Sequence, residues 1–130
     1  MKFYQMLFFC LIKLFSIGSL SEVSNYTINA IKKGNSSAIA QNMSEKINLK
    51  VLNKDGIYSK SQAESILKDF FSKNKIKNFN TTHSNSQKNG NEFFSGILNT
   101  EAGNFKISFQ IKYNDNKYLI SHFQIEHEKN

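Results

Sequence analysis

The stretch YSKSQAESILKDFF, residues 58–71, decides the fold of this chain because its local pattern is the most complete. Ser59 and Gln62 have the spacing of an S-x-x-Q capping box, in which two side chains satisfy backbone groups at the start of a helix. The apolar residues that follow recur at three- and four-residue intervals and form one stripe: Ala63, Ile66, Leu67, Phe70 and Phe71. The sequence therefore predicts an amphipathic helix that ends at Asn74.

The residues before this helix predict two shorter helices and a strand. Val23, Tyr26, Thr27, Ala30 and Ile31 recur at helical spacing from residue 22 to residue 33. Gly34 is typical of a helix end, and Asn35 or Ser36 can cap a second short helix. Apolar and polar residues then alternate from 47 to 52, which predicts a half-buried strand, and residues 53–56 have the composition of a turn.

The residues after the long helix predict strands joined by turns. Phe79, Thr81 and His83 alternate in the first segment, and residues 84–91 form a polar loop. The clearest strand runs from 105 to 113, and a two-residue tip at 102–103 predicts that Gly96 pairs with Phe109. A three-residue loop at 114–116 predicts that Phe109 also pairs with Ser121. The last strand would then point Leu119, Phe123 and Ile125 inward.

Residues 1–21 predict a cleavable signal peptide. Lys2 gives a positive start, the segment from 3 to 15 is mostly apolar, and small residues follow in Ile17-Gly18-Ser19 and Ser19-Leu20-Ser21. We expect cleavage after Ser21 and a secreted or periplasmic domain of residues 22–130, with no membrane span left. An uncleaved anchor is the alternative, since Lys13 interrupts the apolar run. The only cysteine, Cys10, lies within the segment, so we expect no disulfide in the domain.

The charge of the chain argues against specific nucleic-acid binding. The formal net charge is +7, and all 17 basic residues are lysines scattered along the sequence. Phosphate and base recognition favour the planar fork of arginine, which this chain lacks. We therefore interpret the lysines as a solvated surface with a weak, salt-sensitive attraction to anionic polymers.

The order of elements resembles the nuclear transport factor 2-like (cystatin-like) fold. More closely, the chain is similar to a family of small secreted bacterial domains known only as domains of unknown function. The residues that carry this resemblance are 30–40 (AIKKGNSSAIA), 58–71 and 117–120 (KYLI). The resemblance implies an α+β cone in which N-terminal helices and one long helix pack on a curved antiparallel sheet. It also implies a frequent cavity and frequent dimerisation through the sheet, but no activity, because this fold hosts many functions.

Five residues are candidates for a ligand pocket inside such a cone: Tyr58, Phe70, His83, Phe109 and Ser121. Each also has a structural interpretation, and for Tyr58 this is packing just before the helix cap. The pattern places no aspartate in an apolar interior, and the three histidines are isolated, so we expect no metal site and no cofactor. We also find no glycine-rich phosphate loop and no serine nucleophile motif.

The sequence favours a non-catalytic module that binds a small ligand or a protein partner. A small-molecule isomerase or hydrolase that uses the cone cavity is the alternative, so the question of catalysis stays open. The outer face of the last hairpin suits a homodimer or partner contact because it mixes polar and apolar residues: Lys106, Ser108, Gln110, Lys112, Tyr118, Ile120, His122 and Gln124. An enzyme needs a titrating group inside the cone. Phenylalanines that fill the cone would therefore exclude catalysis there.

Overall fold

A computed structural model describes residues 19–129 of the chain. The elements, in order, are α1 (Leu20–Lys33), α2 (Ser36–Gln41), β1 (Met43–Val51), β2 (Lys54–Ser59), α3 (Lys60–Lys73), β3 (Ile76–Ser86), β4 (Glu92–Thr100), β5 (Gly103–Asn114) and β6 (Lys117–His127). The strands form one sheet in the order β2-β1-β6-β5-β4-β3. The α+β architecture is as predicted. The sheet is mixed, however, because β1 and β6 run parallel while the other neighbours are antiparallel.

The long helix α3 begins and ends as its sequence predicts. The Ser59 hydroxyl accepts a hydrogen bond from the Gln62 amide at 3.2 Å, and the Gln62 side chain accepts one from the Ser59 amide at 3.0 Å. Asn74 donates from its side chain to the Phe70 carbonyl at 2.8 Å and closes the last turn. The helix buries Ala63, Leu67 and Phe70, and each large apolar side chain of this kind contributes roughly 1.5–3 kcal/mol when fully buried.

The two predicted N-terminal helices meet at a tight corner. Gly34 has a left-handed backbone (φ 63°), and the amides of Gly34 and Asn35 donate to the carbonyls of Ile31 and Ala30. The Asn35 side chain then accepts from the Ala38 amide at 3.0 Å and caps α2. Helix α1 starts two residues earlier than predicted, at Leu20. Residues 1–18, which hold most of the expected signal peptide, lie outside the described part of the chain.

Strand β2 was not predicted. Residues 54–56 of the expected turn are in fact strand, and the turn consists of Leu52 and Asn53, with Val51 paired to Lys54. Leu52 adopts a left-handed φ of 58°, which is unusual for this residue type. Its amide donates to the carbonyl of Ile125 at 2.9 Å, which ties the turn to β6. Because β2 is a short edge strand with little alternation of apolar residues, its sequence resembles a turn.

The hairpin of β5 and β6 has a different register from the predicted one. Its turn has two residues, Asp115 and Asn116, both with positive φ (50° and 62°), as in the type I′ turns that suit twisted hairpins. An irregularity between Gln110 and Ile111 shifts the pairing again. Phe109 therefore pairs with Phe123 and not with Ser121. The same shift turns Ile120 into the core and leaves Leu119 opposite Lys112, so the predicted inward position of Leu119 was wrong.

The hairpin of β4 and β5 is displaced by two residues from the predicted register, so every side chain keeps its face. Thr100 pairs with Gly103, and consequently Gly96 pairs with Ile107 while Phe94 pairs with Phe109. Gly96 does provide room for an aromatic ring, but the ring is that of Phe79 on the neighbouring strand. A Cβ atom on Gly96 would lie 2.6 Å from a ring carbon of Phe79 and 2.6 Å from the Asn80 carbonyl oxygen.

The fold predicts that Gly96→Ala destabilises the domain by about 2–3 kcal/mol, because the added methyl overlaps both a ring and a backbone atom. The measurement is the free energy of unfolding from urea titrations. Gly56→Ala is the matched control. A Cβ there meets the Tyr58 ring at an ordinary 3.6 Å, so we expect a change within about 0.5 kcal/mol. Equal effects of the two substitutions would contradict this account of β4.

Candidate functional site

The interior of the cone is filled by phenylalanine rings. The rings of Phe94 and Phe109 are stacked with centroids 5.0 Å apart, and those of Phe109 and Phe123 are stacked at 6.0 Å. Phe70 on α3 meets Phe105 on β5 edge to face at 5.0 Å. The side chains of Phe109 and Phe123 are each 1% exposed. These rings occupy the space in which a ligand inside the cone would have to lie.

The five candidate pocket residues do not converge on one cavity. Phe70 and Phe109 are part of the core just described. Ser121 is half-buried at the irregularity of β5 and β6, where its hydroxyl lies 3.4 Å from the Gln110 carbonyl and 3.0 Å from the His122 ring. His83 is exposed, and its Nδ1 lies 3.1 Å from the hydroxyl of its neighbour Thr82.

His83 lies on the face of the sheet opposite to the predicted one. Thr81 pairs with Gly96, but His83 pairs with the adjacent residue Ser95, because the register of β3 shifts between them. Such a bulge adds one residue to one strand and reverses the facing of every side chain beyond it. The expectation that His83 shares a face with Phe79 and Thr81 was therefore wrong.

Among the pocket candidates, Tyr58 lines an open groove. It is half-buried against the core and immediately precedes the capping residue of α3. The groove has a volume of about 380 Å³, is open to solvent and is completed by α3 residues: Ser61, Gln62, Ser65 and Ile66. Tyr58 thus lies beside the start of α3, and its packing role before the helix cap stays a prediction.

No helix formed by residues 19–129 packs on the opposite side of the sheet, which we call the helix-free face. The described helices pack on the side that carries the buried apolar residues of the strands. On the helix-free face, residues with small or polar side chains lie on four neighbouring strands: Asn48, Lys50, Ser95, Ser108, Gln110, His122, Gln124 and Glu126. Two large apolar side chains are exposed there, Phe93 at 38% and Ile57 at 69%.

An ion pair crosses the helix-free face between β1 and β6. The Lys50 ammonium lies 3.0 Å from a carboxylate oxygen of Glu126. The hydrogen bond from Lys50 lowers the pKa of Glu126, with a further hydrogen bond from Gln124, and the same pair raises the pKa of Lys50. Both side chains are more than a third exposed, so the pair contributes little to stability. Its effect is to fix the position of two opposite charges on this face.

His122 is a titrating group near the centre of the helix-free face. It pairs with Asn48 on β1 and Gln110 on β5, and the Asn48 amide lies 3.3 Å from its Nε2. Partial burial lowers the pKa of His122 below its usual value of 6.5, and the charge of Lys112 lowers it further. An open groove of about 360 Å³ beside it is also lined by Lys50 and Asp55.

Glu92 is a buried carboxylate that the sequence analysis missed. It lies on the inner face at the start of β4 and is 8% exposed. Its two oxygens accept hydrogen bonds from the hydroxyls of Ser84 at 2.9 Å and Ser86 at 2.7 Å. The alternation that turns Phe94 and Leu98 inward also turns Glu92 inward, and this was the signal available in the sequence. Because both oxygens are engaged, the carboxylate joins β3 to β4.

Within residues 19–129, no three histidine, cysteine, aspartate or glutamate side chains are grouped so that they could hold a metal ion. Over the same residues, no helix has both the length and the apolar character needed to cross a membrane.

The family model described as "Domain of unknown function (DUF4783)" matches residues 24–126. The crystal structure of a DUF4783 family protein from Bacteroides fragilis YCH46 is similar with a TM-score of 0.72 and 36% sequence identity, covering 79% of this chain and 96% of that one. A family protein from Bacteroides ovatus ATCC 8483 is similar with a TM-score of 0.75 and 30% identity, covering 81% of this chain and 94% of that one. No curated protein sequence matches the chain.

More distant structures share the fold alone. One is a protein of unknown function from Cytophaga hutchinsonii ATCC 33406, described as nuclear transport factor 2-like, with a TM-score of 0.57 and 10% identity over 82% of this chain and 88% of that one. Another, a protein of unknown function from Nostoc punctiforme PCC 73102, is described as having a cystatin-like fold, with a TM-score of 0.61 and 12% identity over 85% of this chain and 90% of that one. The chain therefore belongs to the DUF4783 family and has the nuclear transport factor 2-like, cystatin-like fold.

Proposed function

We propose that this chain is an exported, non-catalytic interaction module that binds a protein partner through the helix-free face. The observation that carries the proposal is the contrast between the two sides of the sheet. The inner side is filled by stacked phenylalanines, whereas the helix-free face is open and presents Phe93 and Ile57 among polar side chains. A mixture of exposed apolar side chains and small polar ones is typical of non-obligate protein interfaces.

We further propose that a second copy of the chain is this partner. The centre of the face holds the small side chains of Ser95 and Ser108, which pair with each other across β4 and β5. Small residues at the centre let two sheets approach to the usual spacing of about 10 Å. Lys50 and Glu126 supply both signs of charge on one face, so that a two-fold arrangement can place opposite charges opposite one another.

The two alternatives from the sequence need space or a titrating group inside the cone. A small-ligand binder needs the volume that Phe94, Phe109 and Phe123 occupy. An isomerase or hydrolase needs a free acid or base, and the buried Glu92 has both oxygens bonded to serine hydroxyls. For these reasons we favour interaction over ligand binding and catalysis.

Export is the second part of the proposal, and its support is the pattern of residues 1–21. A basic start, an apolar run and small residues after it form the signature of a secretory signal. Residues 22–130 also carry no thiol that such a compartment could oxidise, since the one cysteine, Cys10, lies in that segment.

Substitution at the centre of the face tests the dimer. Ser108→Arg should weaken self-association by about 100-fold, or about 2.7 kcal/mol, because two arginines would meet near the two-fold axis. Sedimentation velocity across a concentration series measures this change. Ser72→Arg, an exposed position on α3, is the matched control and should leave association unchanged. A wild-type chain that stays monomeric at high concentration would overturn the choice of a second copy as the partner.

Self-association should also weaken as the pH falls from about 7.5 to about 5.5. Burial at an interface would lower the His122 pKa further, so the dimer would bind fewer protons than two monomers. Acid would therefore favour the monomers, and the nearby charge of Lys112 acts in the same direction. The measurement is the dissociation constant at several pH values. His122→Gln should remove most of this pH dependence. If the dissociation constant of that variant still changes with pH as in the wild type, another group causes the dependence.

Native mass spectrometry of the gently purified domain tests the filled cone. We expect masses of the bare chain and its dimer, because the rings of Phe109 and Phe123 leave no room for a bound compound. A stoichiometric small molecule that survives purification would contradict this expectation and would make ligand binding the favoured function.

A further inference from the structure

We infer that the exported chain begins at Ser19, three residues before the boundary that the sequence pattern alone suggested. This inference rests on the proposed export of the chain. Signal peptidases cut after a pair of small residues separated by one position. Two cuts fit that pattern here: one after Gly18, preceded by Ser16, and one after Ser21, preceded by Ser19. The sequence does not distinguish them, but the start of helix α1 does.

Ser19 is the capping residue of α1. It has an extended backbone (φ −72°, ψ 168°), and its hydroxyl accepts a hydrogen bond from the Glu22 amide at 3.2 Å. Its carbonyl accepts a further bond from the Val23 amide at 3.0 Å. These two bonds satisfy amides at the start of a helix that otherwise lack partners within it.

Leu20 and Ser21 belong to the folded domain as well. The Leu20 side chain packs against the hydrophobic core and is partly buried. The Ser21 carbonyl accepts a hydrogen bond at 3.1 Å from the hydroxyl of Ser24, a residue that is only 6% exposed. A cut after Ser21 would remove this acceptor from a buried hydroxyl, which costs free energy unless another partner replaces it.

A cut after Ser21 would also create an unfavourable charge. The new amino group would belong to Glu22 and would carry its positive charge at the positive end of the α1 dipole. A cut after Gly18 places the amino group on the capping residue, outside the first turn, and retains the Glu22 carboxylate inside that turn. Only the cut after Gly18 leaves the cap, the Leu20 contact and the Ser24 hydrogen bond intact.

The test is to express the full chain in a bacterial host that exports it and to determine the first residue of the exported product by N-terminal sequencing and intact mass. We expect the product to begin Ser-Leu-Ser-Glu. A product that begins at Glu22 would overturn the inference while leaving export supported. An exported product that keeps residues 1–18 would also overturn the inference, whereas a chain that is not exported at all would overturn the proposed export as well.

Two matched variants test the position of the cut independently of the wild-type product. Gly18→Leu should abolish the product that begins at Ser19, because it places a large residue just before the cut. Ser21→Leu should leave that product unchanged, because residue 21 then lies inside the mature chain. The reverse result would assign the cut to Ser21.

A stability comparison provides an independent readout. Chains 19–130 and 22–130, prepared with native N-termini, should differ in thermal midpoint, with the shorter one lower by about 5 °C for the lost cap alone. Equal midpoints would show that residues 19–21 do not contribute to the fold and would remove the structural basis for the inference.

Discussion

Phe109 lies in the middle of the sheet, with Phe94 stacked on one side and Phe123 on the other. The remainder of the domain depends on this row of rings. It spans β4, β5 and β6, while Phe105 on β5 provides the surface on which Phe70 brings α3 to the sheet. In a domain without disulfides, this aromatic packing has to supply much of the cohesion, because buried aromatic side chains contribute large contact areas. Because these buried rings fill the inner side of the sheet, the proposed binding surface lies on the opposite side.

The local features of the fold could be predicted from the sequence because they follow from side chains close to one another in the chain. The capping box of Ser59 and Gln62 and the left-handed Gly34 both formed as expected. The family resemblance added the order of the layers. Strand β2 was missed because an edge strand need not alternate, and the parallel pairing of β1 with β6 joins segments too distant for a local pattern to show.

The registers and the candidate site were harder to predict for one physical reason. A strand reverses its facing whenever one residue is inserted, and the sequence carries no clear mark of such insertions. The bulge after Thr81 moved His83 to the helix-free face, and the shift at Gln110 separated Ser121 from Phe109. Phe70 and Phe109 were correctly expected to lie inward. Glu92 was overlooked because the search for a buried acid considered aspartates only.

The parallel pairing of β1 with β6 places the last strand of the sequence in the interior of the sheet, between the first strand and β5. Neither half of the sheet can therefore join the other until the final residues of the chain are available. Contacts between such distant segments slow folding, because a long loop must close before they form. The complete sheet therefore forms only after β6 has been synthesised, although β3, β4 and β5 can pair earlier. The position of one strand thus delays completion of this fold, and such a delay would suit the proposed export, in which the chain crosses a membrane before it folds.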